Sequence, residues 1–149
     1  MFKTIVIATD GSSDGERALA LARSIAIDTL ARLVIVHVTE IVGGKGGLYA
    51  MPLDDELVKV SMYAQVELLR ADGIDARVIT QNVRLGGPAF VIADIADSVD
   101  ADLIVVGSRG RAPLTGAVLG SVSARLQHIA HRPVLVVPRP AKTASHAFG

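Results

Sequence analysis

Two glycine-containing stretches are the parts of the sequence best suited to hold a phosphate group. Residues 107–111 have the sequence Gly-Ser-Arg-Gly-Arg, and residues 120–123 have the sequence Gly-Ser-Val-Ser. Glycine lets the backbone turn sharply and approach an anion, and a helix amino terminus offers unpaired N–H groups. The serines add hydroxyl donors and the arginines add positive charge. Glycine and serine before a helix also serve as turn and capping residues, so a purely structural role stays open.

The sequence around these glycines differs from the loops of common nucleotide-dependent enzymes. No Gly-Lys-Ser/Thr follows them, as a Walker A loop requires, and no Gly-x-Gly-x-x-Gly follows the first predicted strand. Ser121 lacks the Gly-x-Ser-x-Gly context of a hydrolase nucleophile. No Gln or Asp is clearly placed to orient a water molecule on a terminal phosphate. We therefore predict a binding module in which any nucleotide hydrolysis is slow, with no catalytic residues assigned.

The other candidates for chemistry are four histidines. His128 and His131 lie three residues apart on a predicted helix, but no third metal ligand accompanies them, so we predict solvated surface residues. His37 lies among apolar neighbours and is predicted to be packed and hydrogen-bonded. The chain contains no cysteine, which excludes disulfides, thiolate metal sites and thiol nucleophiles.

Apolar runs along the chain predict a parallel sheet. Five short runs rich in β-branched residues predict strands at residues 4–8, 33–38, 76–83, 103–106 and 134–137. Most are continuously apolar, as is typical of parallel strands covered on both faces. The third run is more polar, which favours a position near the sheet edge. Strands that alternate with helices imply right-handed crossovers and helices on both faces.

Capping residues predict where four helices lie between these strands. Ser13 and Glu16 form a capping-box pattern for the first helix, and Asp54 can cap the second. Pro88 suits the first turn of the third, and the fourth begins near Ser121 and ends before a proline. The second helix has apolar residues in helical spacing. They are Leu57, Val60, Ala64 and Leu68.

Length and composition bound the class of protein. The 149 residues, 50% of them hydrophobic, predict one folded domain at residues 1–138, a flexible connection at residues 43–47 and a flexible tail at residues 139–149. Fifteen basic residues balance fifteen acidic ones, so the basic surplus of a nucleic-acid-binding surface is missing. No window approaches the ~20 apolar residues of a membrane span, and the amino terminus does not look like a signal peptide. We therefore expect a cytoplasmic protein that binds neither nucleic acid nor membrane.

The spacing of the glycines is similar to a known pattern. Gly107-x2-Gly110-x9-Gly120-Ser121 resembles the G-x2-G-x9-G-S/T motif of the ATP-binding branch of the universal stress protein family. Residues 5–12, 102–111 and 133–138 resemble the first, fourth and last strand regions of that family. The resemblance covers the chain from Met1 to about Pro138, and residues 43–47 are the least similar part.

The resemblance implies a fold and a ligand. The fold is a single flavodoxin-like, or Rossmann-like, α/β domain with a five-stranded parallel sheet of order 3-2-1-4-5 and four helices on its two faces. The ligand is ATP or a related adenine nucleotide such as AMP or cyclic AMP, accompanied by Mg²⁺ or Mn²⁺. The residues implied to hold ribose and phosphates are Gly107, Arg109, Gly110, Gly120, Ser121, Val122 and Ser123.

The resemblance also implies how the rest of the nucleotide is held. Asp10 contacts the ribose or a phosphate-bound metal ion, although an Asp-Gly pair commonly serves only to bind turn amides. The main chain around Val38 meets the adenine edge, and Ala8 and Thr9 line the base pocket. With 3% aromatic residues, we expect aliphatic side chains around the base.

The last predicted strand bears on assembly. Val134–Val137 is short and apolar, and the implied strand order places it at the sheet edge, where another chain can pair with it. The family commonly dimerises through this strand, so we predict a two-fold homodimer, with coverage by the tail as the alternative.

Two other functions stay open. The same pocket could serve a slow ATP hydrolase or nucleotide-dependent transferase, or it could be vestigial in a structural dimer module.

Overall fold

A computed structural model describes residues 1–39, 41–44, 47–50, 53–83, 85–108 and 120–140. The helices are α1 (Ser13–Thr29), α2 (Leu53–Ala71), α3 (Pro88–Ser98) and α4 (Ser121–Ile129). The strands are β1 (Thr4–Ala8), β2 (Arg32–Thr39), β3 (Ile41–Gly44), β4 (Gly47–Ala50), β5 (Ala76–Asn82), β6 (Leu103–Gly107) and β7 (Val134–Val137). Within the described ranges, no helix is long and apolar enough to cross a membrane.

The main sheet has five parallel strands in the order β5-β2-β1-β6-β7. Numbered among themselves, these strands have the order 3-2-1-4-5, which confirms the predicted fold. In the centre, Ile5 of β1 pairs with Leu33 of β2 and Leu103 of β6. The more polar β5 lies at one edge, as its composition predicts, and the apolar β7 lies at the other.

Alternate side chains of the sheet enter two separate cores. Ile5, Ile7 and Ile35 are fully buried on the face covered by α1 and α2. Val34 and Ile104 are fully buried on the face covered by α3 and α4. Each fully buried aliphatic side chain of this size stabilises the fold by about 1.5–3 kcal/mol. Burial on both faces accounts for the continuously apolar strand sequences.

The prediction that residues 43–47 form a flexible connection is wrong for those of them that the structure describes. Ile41 pairs with Ala50 and Gly44 pairs with Gly47, so β3 and β4 form a separate antiparallel two-stranded sheet. The β-branched and aromatic residues of these strands favour pairing, and glycine near the tip is typical of a short hairpin connection. The glycines alone therefore indicated a linker, whereas the residues on either side of them favour strands. Lys45 and Gly46 lie outside the described residues.

Two helices begin earlier than predicted, α1 by one residue and α2 by two. The hydroxyl of Ser12, not Ser13, accepts a hydrogen bond from the N–H of Gly15 and caps α1. Helix α2 begins at Leu53, so Asp54 lies inside its first turn instead of capping it. The start of α4 at Ser121 and the position of Pro88 in the first turn of α3 are as predicted.

The apolar face predicted for α2 is not the face that packs on the sheet. Leu57, Val60 and Leu68 are 67%, 66% and 66% exposed, and Ala64 is exposed as well. The buried residues come from the opposite side of the helix. They are Met62, Val66 and Leu69, with Val58 partly buried beside them. Helix α2 therefore has two apolar faces, and helical spacing alone does not distinguish the one that meets the core.

The amino ends of β1 and β6 are joined by one carboxylate. Asp102 Oδ2 accepts hydrogen bonds from the backbone N–H groups of Lys3 and Thr4, at 2.7 and 2.9 Å. The Asp102 N–H donates in turn to the carbonyl of Thr4 at 2.8 Å. The N–H of Thr4, and then that of Lys3, holds the pKa of Asp102 below its usual value, because both groups stabilise the ionised form.

The lowered pKa of Asp102 predicts a pH-dependent contribution to stability. The folded chain keeps this carboxylate ionised to lower pH than the unfolded chain does, so its contribution is complete above about pH 4 and is lost as the pH falls through the folded value. We expect Asp102→Asn to lower the urea midpoint at pH 7. The difference from the wild type should shrink below about pH 4. Urea unfolding monitored by circular dichroism at several pH values measures both effects.

Asp28→Asn is the matched control, because Asp28 is an exposed carboxylate on α1. Its substitution should leave the pH dependence of the urea midpoint close to that of the wild type. A loss of stability in Asp102→Asn that stays constant between pH 7 and pH 3 would contradict the proposed role of the ionised carboxylate.

Candidate functional site

The candidate site lies where β1 meets β6 at the carboxyl edge of the sheet. Ala8, the last residue of β1, pairs with Val36 of β2 and with Val106 of β6. The chain continues from β1 to β2 on one side, and β6 lies on the other, so the strand order reverses here. In open α/β sheets, ligands bind outside the carboxyl ends of the strands at such a reversal. The loops that follow β1 and β6 therefore begin side by side.

The loop after β1 is held by its own hydrogen bonds. The Thr9 N–H donates to the carbonyl of Val36 at 3.1 Å, and the Thr9 hydroxyl accepts from the N–H of Gly11 at 3.2 Å. Asp10 Oδ1 accepts from the N–H of Ser12 at 2.9 Å, which is the turn-stabilising role expected of an Asp-Gly pair. This network holds the carboxylate of Asp10 at the carboxyl edge of β1.

His37 packs beneath this loop, as its apolar neighbours predict. Its side chain is buried, and Nδ1 lies 3.3 Å from the carbonyl oxygen of Thr9. Because a carbonyl only accepts hydrogen bonds, Nδ1 is the nitrogen that donates in this contact. His37 therefore ties β2 to the loop after β1 and positions the loop.

The amino terminus of α4 is anchored to the end of β6. The Gly120 N–H donates to the carbonyl of Ser108 at 2.5 Å. The Ser123 hydroxyl is buried, 3.0 Å from the Gly120 carbonyl and 3.2 Å from that of Ser108. The Gly120 N–H and the Ser123 hydroxyl, both part of the predicted ligand site, are thus directed at backbone carbonyls. The first turn of α4 is consequently fixed relative to the sheet.

The first turn of α4 has no side-chain cap among the described residues. Gly120 is the N-cap residue and has no side chain that could accept a hydrogen bond. The Ala124 N–H donates to the Gly120 carbonyl, so the intrahelical hydrogen bonds begin there. The N–H groups of Ser121, Val122 and Ser123 precede that bond, and residues in these positions have no intrahelical acceptor. They carry the partial positive charge of the helix terminus.

A buried carboxylate, which nothing in its local sequence marks as important, lies next to Gly107. Asp14 is 1% exposed, and a Cβ atom on Gly107 would lie 2.9 Å from its carbonyl oxygen, so β6 and α1 approach closely only because residue 107 is glycine. Asp14 forms an ion pair with Arg17, and both its oxygens lie within 3.1 Å of Arg139 Nε. Two guanidinium groups on one carboxylate leave a local excess of positive charge beside the end of β6.

A cavity of about 230 Å³ opens between α1 and α2 next to Thr9. Leu19, Ile35 and Met62 contribute apolar surface, and Glu16 and Gln65 contribute polar groups. The remaining lining residues are Gly11, Leu57, Val58 and Ser61. Since the charged lining residue is acidic, the cavity suits an apolar or uncharged group and not a phosphate.

The remaining residues predicted from the sequence lie outside the loop after β1 and the first turn of α4. Val38 lies in β2, and its partly buried side chain packs against the core under α3 and α4. Arg109 and Gly110 lie outside the described residues. His131 is exposed, and its hydrogen bond to Asp97 holds the pKa of Asp97 below the usual value. Within the described residues, no three His, Asp or Glu side chains are grouped as metal ligands.

Comparison with known proteins agrees with this architecture. The sequence model of the Universal stress protein family matches residues 1–138. A universal stress protein of Thermus aquaticus is 36% identical over 140 residues, which cover 92% of this chain and 99% of that protein.

Two solved structures of the same family contain nucleotides. A universal stress protein in complex with cAMP is 31% identical, with a TM-score of 0.65, and the match covers 91% of this chain and 97% of that one. The universal stress protein from Archaeoglobus fulgidus in complex with dAMP is 27% identical, with a TM-score of 0.64, and the match covers 92% and 98%. On the family match and the identity to the Thermus protein, this chain belongs to the universal stress protein family.

Proposed function

We propose that this protein binds an adenine nucleotide, ATP or a related one such as AMP or cyclic AMP, at the carboxyl edge of the sheet and acts as a cytoplasmic regulatory module. The observation that carries the proposal is the amino terminus of α4, which is anchored at Ser108 and has no side-chain cap at Gly120. The complexes of family members with cAMP and dAMP support an adenine nucleotide as the ligand.

We assign the phosphates to the first turn of α4. The N–H groups of Ser121, Val122 and Ser123 supply donors and the positive end of the helix dipole. The Ser121 side chain is exposed and can add its hydroxyl. The N–H of Gly120 is already directed at Ser108, so its contribution is to shape the turn. Arg109 and Gly110, assigned by the family resemblance, complete the proposed phosphate site.

We assign the base to the region around Thr9. The cavity there offers apolar surface from Leu19, Ile35 and Met62, while the carboxylate of Glu16 repels phosphate. The base and the phosphates are thereby directed to different parts of the carboxyl edge. Ala8 and the main chain around Val38 are the other groups assigned to the base.

The carboxylate of Asp10 and a phosphate group repel each other because both are anionic. Asp10 can therefore lie near the phosphates only if another group separates them. We propose that Mg²⁺ or Mn²⁺ bound to the nucleotide, or a ribose hydroxyl, lies between them. A carboxylate oxygen is a ligand that Mg²⁺ prefers, and phosphate oxygens and water supply the others. Asp10 Oδ1 already accepts the N–H of Ser12, which orients the carboxylate for such a contact.

Ser121→Pro tests the phosphate assignment. Proline suits the first position of a helix, and Gly120 before it has φ −59° and ψ 153°, which proline permits in its neighbour. The substitution therefore removes one N–H donor while preserving the helix. Ser121→Ala removes only the hydroxyl and is the matched control. In calorimetric titrations with ATP and Mg²⁺, we expect the proline variant to bind at least about tenfold more weakly than the alanine variant.

Equal affinities of the two Ser121 variants would contradict the assignment of the phosphates to α4. Calorimetry of the wild type with ATP, AMP and cyclic AMP tests the wider proposal. If none of these binds, and the purified protein carries no nucleotide absorbing at 260 nm, the protein is not an adenine-nucleotide-binding module.

Asp10→Asn tests the role of the metal ion. Asparagine retains an oxygen that can accept the N–H of Ser12, so the loop is preserved while the charge is lost. We expect the affinity for ATP in Mg²⁺ to fall by about 10–100-fold, as is usual when a group that supports a metal is removed. AMP measured with EDTA is the control, and its affinity should change little. An equal loss for both ligands would indicate that Asp10 contacts the ribose instead.

We also propose that the protein forms a two-fold homodimer through β7. The Ile104 N–H donates to the Pro133 carbonyl, and the Ser108 N–H donates to the Val137 carbonyl. Because successive residues of a strand direct their backbone groups to opposite sides, Val134 and Val136 direct theirs away from β6. We propose that these outward groups, at the end of the sheet, pair with the same strand of a second chain.

Val136→Pro tests the dimer, because it removes an outward N–H and leaves the hydrogen bonds to β6 in place. Val136→Ala, which keeps the N–H, is the matched control. In sedimentation velocity at equal concentration, we expect the proline variant to have half the mass of the alanine variant. Equal masses would contradict pairing through β7.

A further inference from the structure

Helix α2 presents an apolar stripe to solvent. Leu57, Val60, Ala64 and Leu68 lie within an arc of about 80° around the helix axis, and the three larger side chains are each about two-thirds exposed. The buried face of α2 lies on the other side of the helix, so the stripe does not contribute to the core. Contiguous apolar surface that is rimmed by polar residues often marks a protein interaction site.

Four charged residues and one tyrosine line one side of this stripe, and the charges form ion pairs along the helix, Lys59 with Glu56 and Arg70 with Glu67. Glu56, Lys59, Tyr63, Glu67 and Arg70 fall within a second arc of about 80° that adjoins the first. Tyr63 is 55% exposed and lies at the middle of the series. Glu56 and Arg70 are each seven residues from it, and Lys59 and Glu67 are each four residues from it.

This series is complementary to itself in the antiparallel direction. If two copies of α2 pack antiparallel about a two-fold axis near Tyr63, the same side of each helix faces its counterpart. Glu56 then lies opposite Arg70 of the partner subunit, and Lys59 lies opposite Glu67 of the partner subunit. A parallel two-fold pair would instead place this side of each helix against the other side of its partner, which carries Ser61 and Gln65, so the charges would lose these counterparts. The charges therefore favour one orientation.

We propose that α2 is a self-association surface, and that its partner is α2 of a second copy of this chain, packed antiparallel about Tyr63. The apolar stripes supply the buried area, and the flanking charges set the direction and the register. Helix α2 packs on β2 and β5, whereas β7 lies at the opposite edge of the sheet. The surface is therefore separate from the edge strand, and of its stripe residues Leu57 also lines the cavity to which we assign the base.

Cross-linking through a single cysteine tests the register directly, because the natural chain contains no cysteine. In Tyr63→Cys, the two introduced thiols lie near the proposed axis, and a short bis-maleimide reagent should join them into a covalent dimer. Glu56→Cys is the control on the same side of the same helix. Its two thiols would be about 21 Å apart, since seven residues at 1.5 Å each separate either one from the axis.

We expect the Tyr63 variant to cross-link at least tenfold faster than the Glu56 variant at the same protein concentration. Equal rates would indicate random collisions or a parallel arrangement, and either result would overturn the proposal. Absence of a cross-linked dimer in the Tyr63 variant would overturn it as well. A Val136→Pro background excludes edge-strand pairing, so the result is independent of the dimer proposed above.

Charge substitution provides the second test. Glu67→Lys places two positive charges opposite each other in the proposed dimer and should raise its dissociation constant at least tenfold. Adding Lys59→Glu restores opposite charges and should recover most of that loss. Sedimentation equilibrium measures the dissociation constants, and thermal unfolding confirms that all variants are folded. If the double variant dissociates as readily as Glu67→Lys, the proposed register is wrong.

Discussion

The rest of the structure depends on the central position of β1, which pairs in parallel with β2 on one side and β6 on the other. Parallel neighbours can be connected only by crossovers, and each crossover here contains a helix that covers one face of the sheet. Both faces of β1 are consequently shielded from solvent, and Ile5, Val6 and Ile7 are fully buried. The same constraint places the carboxyl ends of the five strands of the main sheet at one edge, where the loops and helix amino termini gather.

The candidate site at that edge consists largely of backbone. The first turn of α4 presents N–H groups, and its position is fixed by hydrogen bonds between Gly120, Ser123 and the carbonyl of Ser108. A helix amino terminus carries about half a positive charge, so a phosphate can be held without a surplus of basic residues. This is compatible with a net charge of zero, and the pair of arginines on Asp14 adds a local positive charge that the overall balance conceals.

Much of the fold could be predicted because its signals are local. The continuous apolar runs marked the five strands of the main sheet, and Pro88 marked the start of α3. The two-stranded sheet of β3 and β4 was missed, since its glycines are equally typical of a linker. Asp14 was missed for a different reason. Its partner Arg139 is 125 residues away, and nothing local in the sequence brings them together.

The sequence by itself determined the alternation of strands and helices, the two apolar sides of α2 and the spacing of glycines and serines at the candidate site. Only the tertiary structure decided which side of α2 meets the core, because periodicity reports that an apolar face exists and not what lies against it. It also decided that one donor of the candidate site is already used, since the Gly120 N–H is directed at the carbonyl of Ser108. Both decisions depend on the positions of atoms distant in sequence, and packing around the central strand sets those positions.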